Sequence, residues 1–140
     1  MIEFHYLPWA SCGIGSSVTF AENEGVMEVT ATLQERDAEK VVLDIRCTVG
    51  RWSLGFAETL RPRPSPDGPP YREGREVIVV AGEEWLSRRT ETSFPSLGPD
   101  VVVTSWIVDQ VPGGMARWQL RERPDEPRPL TWWVKSFVRK

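Results

Sequence analysis

Three features of this sequence predict an all-β fold, a curved antiparallel sheet or half-barrel of about eight strands with little helix. Apolar and polar residues alternate in several stretches, as they do on strands that bury one face. Turn-forming residues separate these stretches at short intervals. No long stretch has the 3.6-residue apolar period of an amphipathic helix. The length of 140 residues fits a single domain over residues 1–140.

The first hairpin is predicted from two alternating stretches. Residues 26–34 read VMEVTATLQ and residues 41–49 read VVLDIRCTV, each with its apolar side chains on one face. The charged connection at residues 35–40 has the length of a hairpin loop. We therefore expect two antiparallel strands here, followed by shorter strands at residues 51–56, 76–81 and 85–92, with a short helical turn near residues 56–60 as an option.

The longest β-branched stretch is residues 101–111, which ends in Val111-Pro112-Gly113-Gly114. Proline followed by glycine suits a type II turn, because glycine accepts the positive φ that this turn requires. Residues 115–121 then form the returning strand, and residues 131–139 the last one. The turn therefore places Trp106 and Trp118 on the two arms of one hairpin.

A proline-rich segment separates the two halves of the chain. Residues 60–71 read LRPRPSPDGPPY, and their five prolines exclude a central strand because proline has no N–H to donate. We expect an exposed loop of polyproline character. The alternative is a ligand for a proline-recognition domain.

Composition argues against several classes of partner. The net charge of −3 and the scattering of arginines among acids give no basic patch for nucleic acid. No stretch approaches the ~20 apolar residues of a membrane-spanning helix. Residues 1–12 are too short and too polar for a secretion signal. As written, the chain is expected in the cytoplasm, or in the periplasm if a signal peptide was removed.

Catalytic and metal-binding motifs are not recognisable. His5 is the single histidine, so a nucleophile with a histidine base is not indicated. His5, Cys12 and Cys47 do not form the spacing of a zinc site, and no cofactor is predicted. A disulfide between the cysteines is arithmetically open, with free buried cysteines the simpler interpretation. Asp109 is interpreted as a structural ion-pair partner of Arg117 or Arg121 across the hairpin that the Val111-Pro112-Gly113-Gly114 turn closes.

The tryptophan content is unusual, with seven in this short chain. Most are expected in the core, because each buries a large apolar area. On a curved sheet, however, aromatic residues of the concave face can line an apolar cavity. Trp106, Trp118 and Trp133 are predicted on strands that could be neighbours.

A family resemblance spans about residues 13–137. It rests on three motifs in order: Gly15-Ser16-Ser17-Val18, the stretch GREVIVVAG at residues 74–82, and Thr104-Ser105-Trp106 leading to Val111-Pro112-Gly113-Gly114-Met115. In these motifs the chain resembles a group of uncharacterised bacterial β-rich proteins. That group is similar to the lipoprotein-carrier half-barrel fold, in which a curved antiparallel sheet holds an acyl chain. The resemblance implies a curved sheet with a lipid-like ligand.

These observations lead to the prediction of a non-enzymatic binding domain that accepts an apolar small molecule or lipid on an aromatic-lined sheet. Its ligand-binding residues are predicted to be Phe56, Trp106, Trp118 and Trp133, with no catalytic and no metal-binding residue. The alternative is an interaction or scaffold domain with a fully packed core, which would use an edge strand or the proline-rich loop. An enzyme would require a cleft that gathers acids and arginines with perturbed pKa values. The sequence leaves the oligomeric state open.

Overall fold

The computed structural model describes residues 4–63 and 71–140 and confirms the all-β prediction. Nine antiparallel strands form one unclosed sheet, and a single turn of helix precedes them in the described part of the chain. The elements are α1 (Tyr6–Ala10), β1 (Ser17–Glu22), β2 (Met27–Arg36), β3 (Val41–Val49), β4 (Trp52–Leu60), β5 (Tyr71–Val80), β6 (Glu83–Ser93), β7 (Val102–Ile107), β8 (Met115–Arg121) and β9 (Leu130–Val138).

The strand order is β4-β3-β2-β1-β9-β8-β7-β6-β5. Strands that follow one another in sequence pair as hairpins on each half, and β9 returns to pair with β1 and join the halves. Strands β4 and β5 are therefore the two edges of the sheet. Strand β5 also contacts β9, although three strands lie between them in the order, so the sheet curls at this end.

Two-residue turns close the hairpins that carry the two edges. Gly50 has φ 57° between Val49 and Trp52, and this positive φ suits the first corner of a tight hairpin turn. In the β5–β6 hairpin, Ala81 and Gly82 have φ 49° and 84°. Positive φ at both corners is the pattern of a type I′ turn, whose twist matches that of the flanking strands.

Some boundaries differ from the predicted ones. Strand β4 runs to Leu60 and includes residues 56–60, where a helical turn was an option. Helix α1 was not predicted. Strand β7 ends at Ile107, because residues 108–114 turn back through hydrogen bonds from Val111 N–H to the Val108 carbonyl (3.0 Å) and from Gly114 N–H to the Val111 carbonyl (2.7 Å). The second of these bonds, with φ 82° at Gly113, has the features of the predicted type II turn.

The core face of the sheet is set by the registers of β1, β2, β3 and β9. Ala31 lies opposite Val18 on one side and Ile45 on the other, and Phe20 lies opposite both Val29 and Val134. All of these side chains are buried, as the alternation in β2 and β3 predicts. The N-terminal segment packs against this face, with Phe4 edge-on to Phe20 at 6.5 Å between ring centroids.

The buried tryptophans of β8 and β7 lie on opposite faces of the sheet. Trp118 lies opposite Trp132 and is buried on the core face. Its neighbour Arg117 points to the other face, where it lies opposite Trp106, and Trp106 is also buried. We call this other side, defined by Arg89, Trp106, Arg117 and Trp133, the second face. The sheet therefore carries buried aromatic side chains on both sides.

No helix among the described residues is long and apolar enough to cross a membrane. The proline-rich segment predicted at residues 60–71 begins with the last residue of β4 and ends with the first of β5. Its central part, residues 64–70, lies outside the described residues.

Candidate functional site

The four aromatic residues predicted to bind a ligand are distributed over two faces and one edge. Trp106 (4% exposed) and Trp133 (37% exposed) lie on the second face, whereas Trp118 (8% exposed) lies on the core face. Phe56 (46% exposed) lies on β4, opposite Ile45 of the core face. The structure therefore brings Trp106 and Trp133 to one face with Arg117 between them, and it places Trp118 and Phe56 elsewhere.

A cross-strand row on the second face is the most prominent polar feature of the sheet. Directly opposite residues of neighbouring strands share a face, so their side chains stand side by side. The row runs from β5 to β9 through Gly74, Arg89, Trp106, Arg117 and Trp133. It thus places one buried indole between two guanidinium groups.

Trp106 is fixed by a hydrogen bond and by two cations. Its indole N–H donates to Glu76 Oε2 at 2.7 Å. The guanidinium carbon of Arg117 lies 4.6 Å from the ring centroid, and that of Arg89 lies 5.6 Å from it. Both distances are within the ~6 Å range of cation–π attraction. The indole is therefore held on its ring face and at its nitrogen.

The two arginines differ in their acidic partners. Arg89 forms ion pairs with Glu76, at 3.6 Å from Nε to Oε2, and with Glu91, through Nη2. None of the ion pairs among the described residues includes Arg117. The charge of Arg117 is thus placed against the ring face of Trp106 and not against a carboxylate.

The row borders a solvent-open cleft of about 400 Å³. Its lining consists of Gly74, Arg75, Glu76, Arg89, Trp106, Arg117 and Gln119. The Gln119 amide N–H₂ donates to Thr131 Oγ1 at 3.1 Å, which ties this wall to β9. Four of the seven lining residues carry a charge, so the cleft is suited to a polar ligand.

A second candidate site is the β4 apolar surface, which we define as Trp52, Leu54 and Phe56. These residues lie opposite Val49, Cys47 and Ile45 of β3 and so extend the core face to the edge of the sheet. Trp52 is 82% exposed and Leu54 65% exposed. Exposed apolar side chains in a contiguous group, next to a core, are typical of interaction sites.

The described residues hold no cluster of three or more His, Cys, Asp or Glu side chains that could bind a metal ion. Cys12 and Cys47 are both free, the first buried and the second partly so. The pKa of Asp37 is lowered because its carboxylate accepts hydrogen bonds from the backbone N–H groups of Glu39 and Lys40. This carboxylate lies in the β2–β3 hairpin turn and lines no part of the cleft.

The charged residues of the cleft were not predicted, because their positions depend on the registers of four strands. Asp109 was interpreted as an ion-pair partner of Arg117 or Arg121, and that interpretation is wrong, because none of the ion pairs among the described residues includes Asp109. Asp109 lies in the loop after β7, and its backbone carbonyl accepts a hydrogen bond from Arg139 at 2.7 Å. The one local signal was the alternation in β8, which sets Arg117 on the face away from Trp118.

Comparison with protein-family models, curated proteins and solved structures yields no match for this chain.

Proposed function

We propose that the protein is a non-enzymatic binding domain whose β4 edge pairs with an extended strand of a partner protein. The observation that carries the proposal is the continuation of the core face onto an edge strand, where Trp52, Leu54 and Phe56 meet solvent. A strand added at this edge would cover these side chains and extend the sheet by one strand. This is the mode of recognition known as β-strand addition.

The energetics favour a covering partner. Apolar surface removed from water contributes about 25 cal/mol per Å², and a large aromatic side chain buries up to ~250 Å². Trp52 alone is exposed for most of its surface. A tryptophan that becomes buried on binding, as Trp52 would, is typical of the aromatic hot spots that contribute most of the binding energy at protein interfaces.

The backbone of β4 offers hydrogen-bonding groups on its outer side. In a two-residue hairpin the closing pair, here Val49 and Trp52, is hydrogen-bonded, and such pairs recur at every second residue. Trp52, Leu54 and Phe56 therefore bond to β3, whereas Ser53, Gly55 and Ala57 direct their N–H and carbonyl groups outward. These outward groups are the template for an added strand.

Strand β4 also lacks the features that commonly protect an edge. Natural edges are blunted by lysine, proline, bulges or very short strands. Strand β4 has nine residues, and Glu58 is the one charged side chain in its sequence WSLGFAETL. Its pairing with β3 runs from Val41–Leu60 to Val49–Trp52 without a shift of register.

The experiment selects peptides from a displayed random library on immobilised protein and measures their affinity for variants. Ala57→Pro removes an outward N–H and leaves the β3 ladder intact, so binding should be lost while the fold persists. Leu54→Lys should also abolish binding. The matched control is Val79→Lys, an equally exposed apolar residue on the other edge, β5, which should leave affinity unchanged.

Selected peptides that bind Ala57→Pro as tightly as wild type would contradict strand addition, as would failure to select any peptide. Sedimentation measures the oligomeric state and so tests whether the partner is a second copy of this chain. A dimer that disappears in Ala57→Pro would mean that the added strand comes from a second copy of this chain.

A lipid-like ligand on the same surface is the second candidate, and it follows the resemblance to the lipoprotein-carrier fold. The observation in its favour is the adjacent strip of partly buried apolar side chains, Met27 and Cys47, beside the exposed Leu54. Fatty acids would then quench or shift the fluorescence of Trp52 saturably, and Trp52→Phe would remove the change. Ala57→Pro discriminates the two candidates, because an acyl chain needs no backbone N–H.

A further inference from the structure

We propose that the Trp106 cleft binds a small molecule through an oxyanion, a carboxylate or a phosphate, that pairs with Arg117. The cleft lies on β5 to β8, away from the β4 apolar surface, so the inference does not depend on the proposed strand partner.

The lining has an excess of positive charge. Arg89 and Arg117 share the cleft with the single lining carboxylate, that of Glu76, whereas Arg75 lies opposite Arg88 and directs its side chain to the other face of β5. Arg89 is held by Glu76 and Glu91, and Arg75 lies on an exposed part of β5. Arg117 is partly buried, and no carboxylate of the described residues neutralises it. An anion in the cleft would supply the missing partner.

Arg117 is also arranged to donate. A guanidinium that stacks on an aromatic face keeps its N–H groups in a plane beside the ring, where they can bond two oxygens at once. The Arg117 Cζ lies over the Trp106 ring, 4.6 Å from its centroid, so the guanidinium rests on the ring face. The ring itself is immobilised by its bond to Glu76. The donor is therefore held in position before a ligand arrives, which lowers the entropy cost of binding.

Gly74 keeps the space open. It lies opposite Arg89 in the middle of β5, so a side chain at this position would point to the second face above the cleft. A Cβ placed there meets no atom within 4 Å, and φ at Gly74 is not positive. Neither backbone strain nor crowding therefore requires glycine. Glycine weakens a strand interior and often marks a place where a ligand approaches closely.

The size and polarity of the cleft define the ligand class. A volume of about 400 Å³ lies within the range of sites that hold small organic molecules. An acyl chain would cover charged groups without giving them partners, which is unfavourable. Trp133, next to Arg117 in the row, offers an exposed ring for an apolar ligand body. The ligand expected here is a small aromatic or aliphatic molecule that carries an oxyanion. Its oxyanion would pair with Arg117, and its apolar part would pack on the ring of Trp133.

The test measures binding of benzoate and of phenyl phosphate by calorimetry, with neutral benzamide as the matched control. Wild type should bind at least one of the two anions saturably at millimolar concentration and should not bind benzamide. The anion that binds more tightly distinguishes a carboxylate ligand from a phosphate. The indole N–H resonance of Trp106, assigned with Trp106→Phe, should shift on binding.

Three variants separate a local site from general electrostatics. Arg117→Gln should weaken binding at least tenfold, about 1.4 kcal/mol. Arg88→Gln removes the same charge from the opposite face of β6 and should have no effect. Gly74→Val should abolish binding without lowering thermal stability, because it fills open space with a β-branched residue. No saturable binding of either anion, equal binding of benzamide, or equal losses in Arg117→Gln and Arg88→Gln would overturn the inference.

Discussion

The indole of Trp9 lies directly against the α-carbon of Gly113. A Cβ added to Gly113 would stand 2.7 Å from Trp9 Nε1 and 2.9 Å from its Cε2. Trp9 is fully buried, and it is the buried residue of helix α1. The second glycine of the Val-Pro-Gly-Gly turn, Gly114, has a similar positive φ but ordinary contacts, the nearest at 3.5 Å from Pro8 Cβ. Glycine is thus required at Gly114 for its positive φ alone. At Gly113 it is required both for the positive φ and for the close contact with Trp9.

Gly113→Ala should therefore destabilise the protein more than Gly114→Ala. Each substitution places an L side chain at positive φ, which costs about 1–2 kcal/mol. At Gly113 the methyl group must also displace the buried indole, and overpacking of a core adds about 1–3 kcal/mol. Chemical denaturation of both variants gives the comparison. Equal losses in the two variants would show that Trp9 moves aside without cost.

The steric component can be isolated with a smaller residue at position 9. In the background of Trp9→Leu, the Gly113→Ala penalty should fall to the strain shared with Gly114→Ala. Residues in contact commonly show such coupling in double-mutant cycles. An unchanged penalty would place the cost of Gly113→Ala in the turn alone.

Ala81 is the one non-glycine residue with positive φ in the described part of the chain, at φ 49°. The type I′ turn that it forms with Gly82 favours Asn-Gly, because asparagine tolerates this conformation. Ala81→Asn should raise the free energy of unfolding by about 1 kcal/mol. Gly82→Ala, at φ 84°, is the control and should lower it by a similar amount. Thermal denaturation of both variants checks the prediction, and a loss of stability in Ala81→Asn would contradict it.

The sequence predicts this fold best where structure is local. Alternation along β2 and β3 identifies the buried set that includes Ala31, Leu33 and Ile45. The Pro112-Gly113 pair identifies a tight turn, since proline and glycine restrict the backbone by themselves. Helix α1 is different. It has five residues and its buried Trp9 contacts Gly113, which is remote in sequence, so tertiary packing rather than local propensity stabilises it.

The cleft also depends on contacts between residues that are remote in sequence, and for this reason it could not be predicted. Arg117 and Trp106 become neighbours only through the pairing of β7 with β8, in which the register shifts between Trp106 and Ile107. A one-residue error in such a register moves every side chain to the other face. The aromatic content drew attention to Trp106, whose role in ligand binding stays a prediction. The polar surroundings of that residue depend on strand pairing that alternation does not specify.

The hairpin between β2 and β3 should lose stability in acid because of Asp37. The N–H groups of Glu39 and Lys40 donate to its carboxylate at 2.7 and 2.9 Å and lower its pKa in the folded state. A lowered folded-state pKa gives stability that is present above the unfolded-state value, about 3.9, and is lost as the pH falls through the folded-state value. Asp37→Ala should thus be destabilising at neutral pH and differ less from wild type near pH 2.

Asp37→Asn serves as the control, because its amide oxygen still accepts the two hydrogen bonds but does not titrate. Urea denaturation of the three proteins at several pH values gives the measurement. The same turn accepts a hydrogen bond from the Tyr6 hydroxyl to the Asp37 carbonyl, at 2.8 Å, so loss of the turn should also loosen α1. A difference between wild type and Asp37→Ala that does not vary with pH would contradict the assignment.

Trp106 and Trp133 share a row but should contribute unequally to stability. Trp106→Phe removes the donor to Glu76, whose exposed carboxylate keeps its ion pair with Arg89, so the lost hydrogen bond should cost about 0.5–1.5 kcal/mol. Trp133 is 37% exposed, so Trp133→Phe should change stability by no more than about 0.5 kcal/mol. Glu76→Gln preserves an acceptor for the indole and should lie between the two. If Trp106→Phe were as mild as Trp133→Phe, the bond to Glu76 would not hold the indole in place, and the preorganised position of Arg117 on its ring would lose its support.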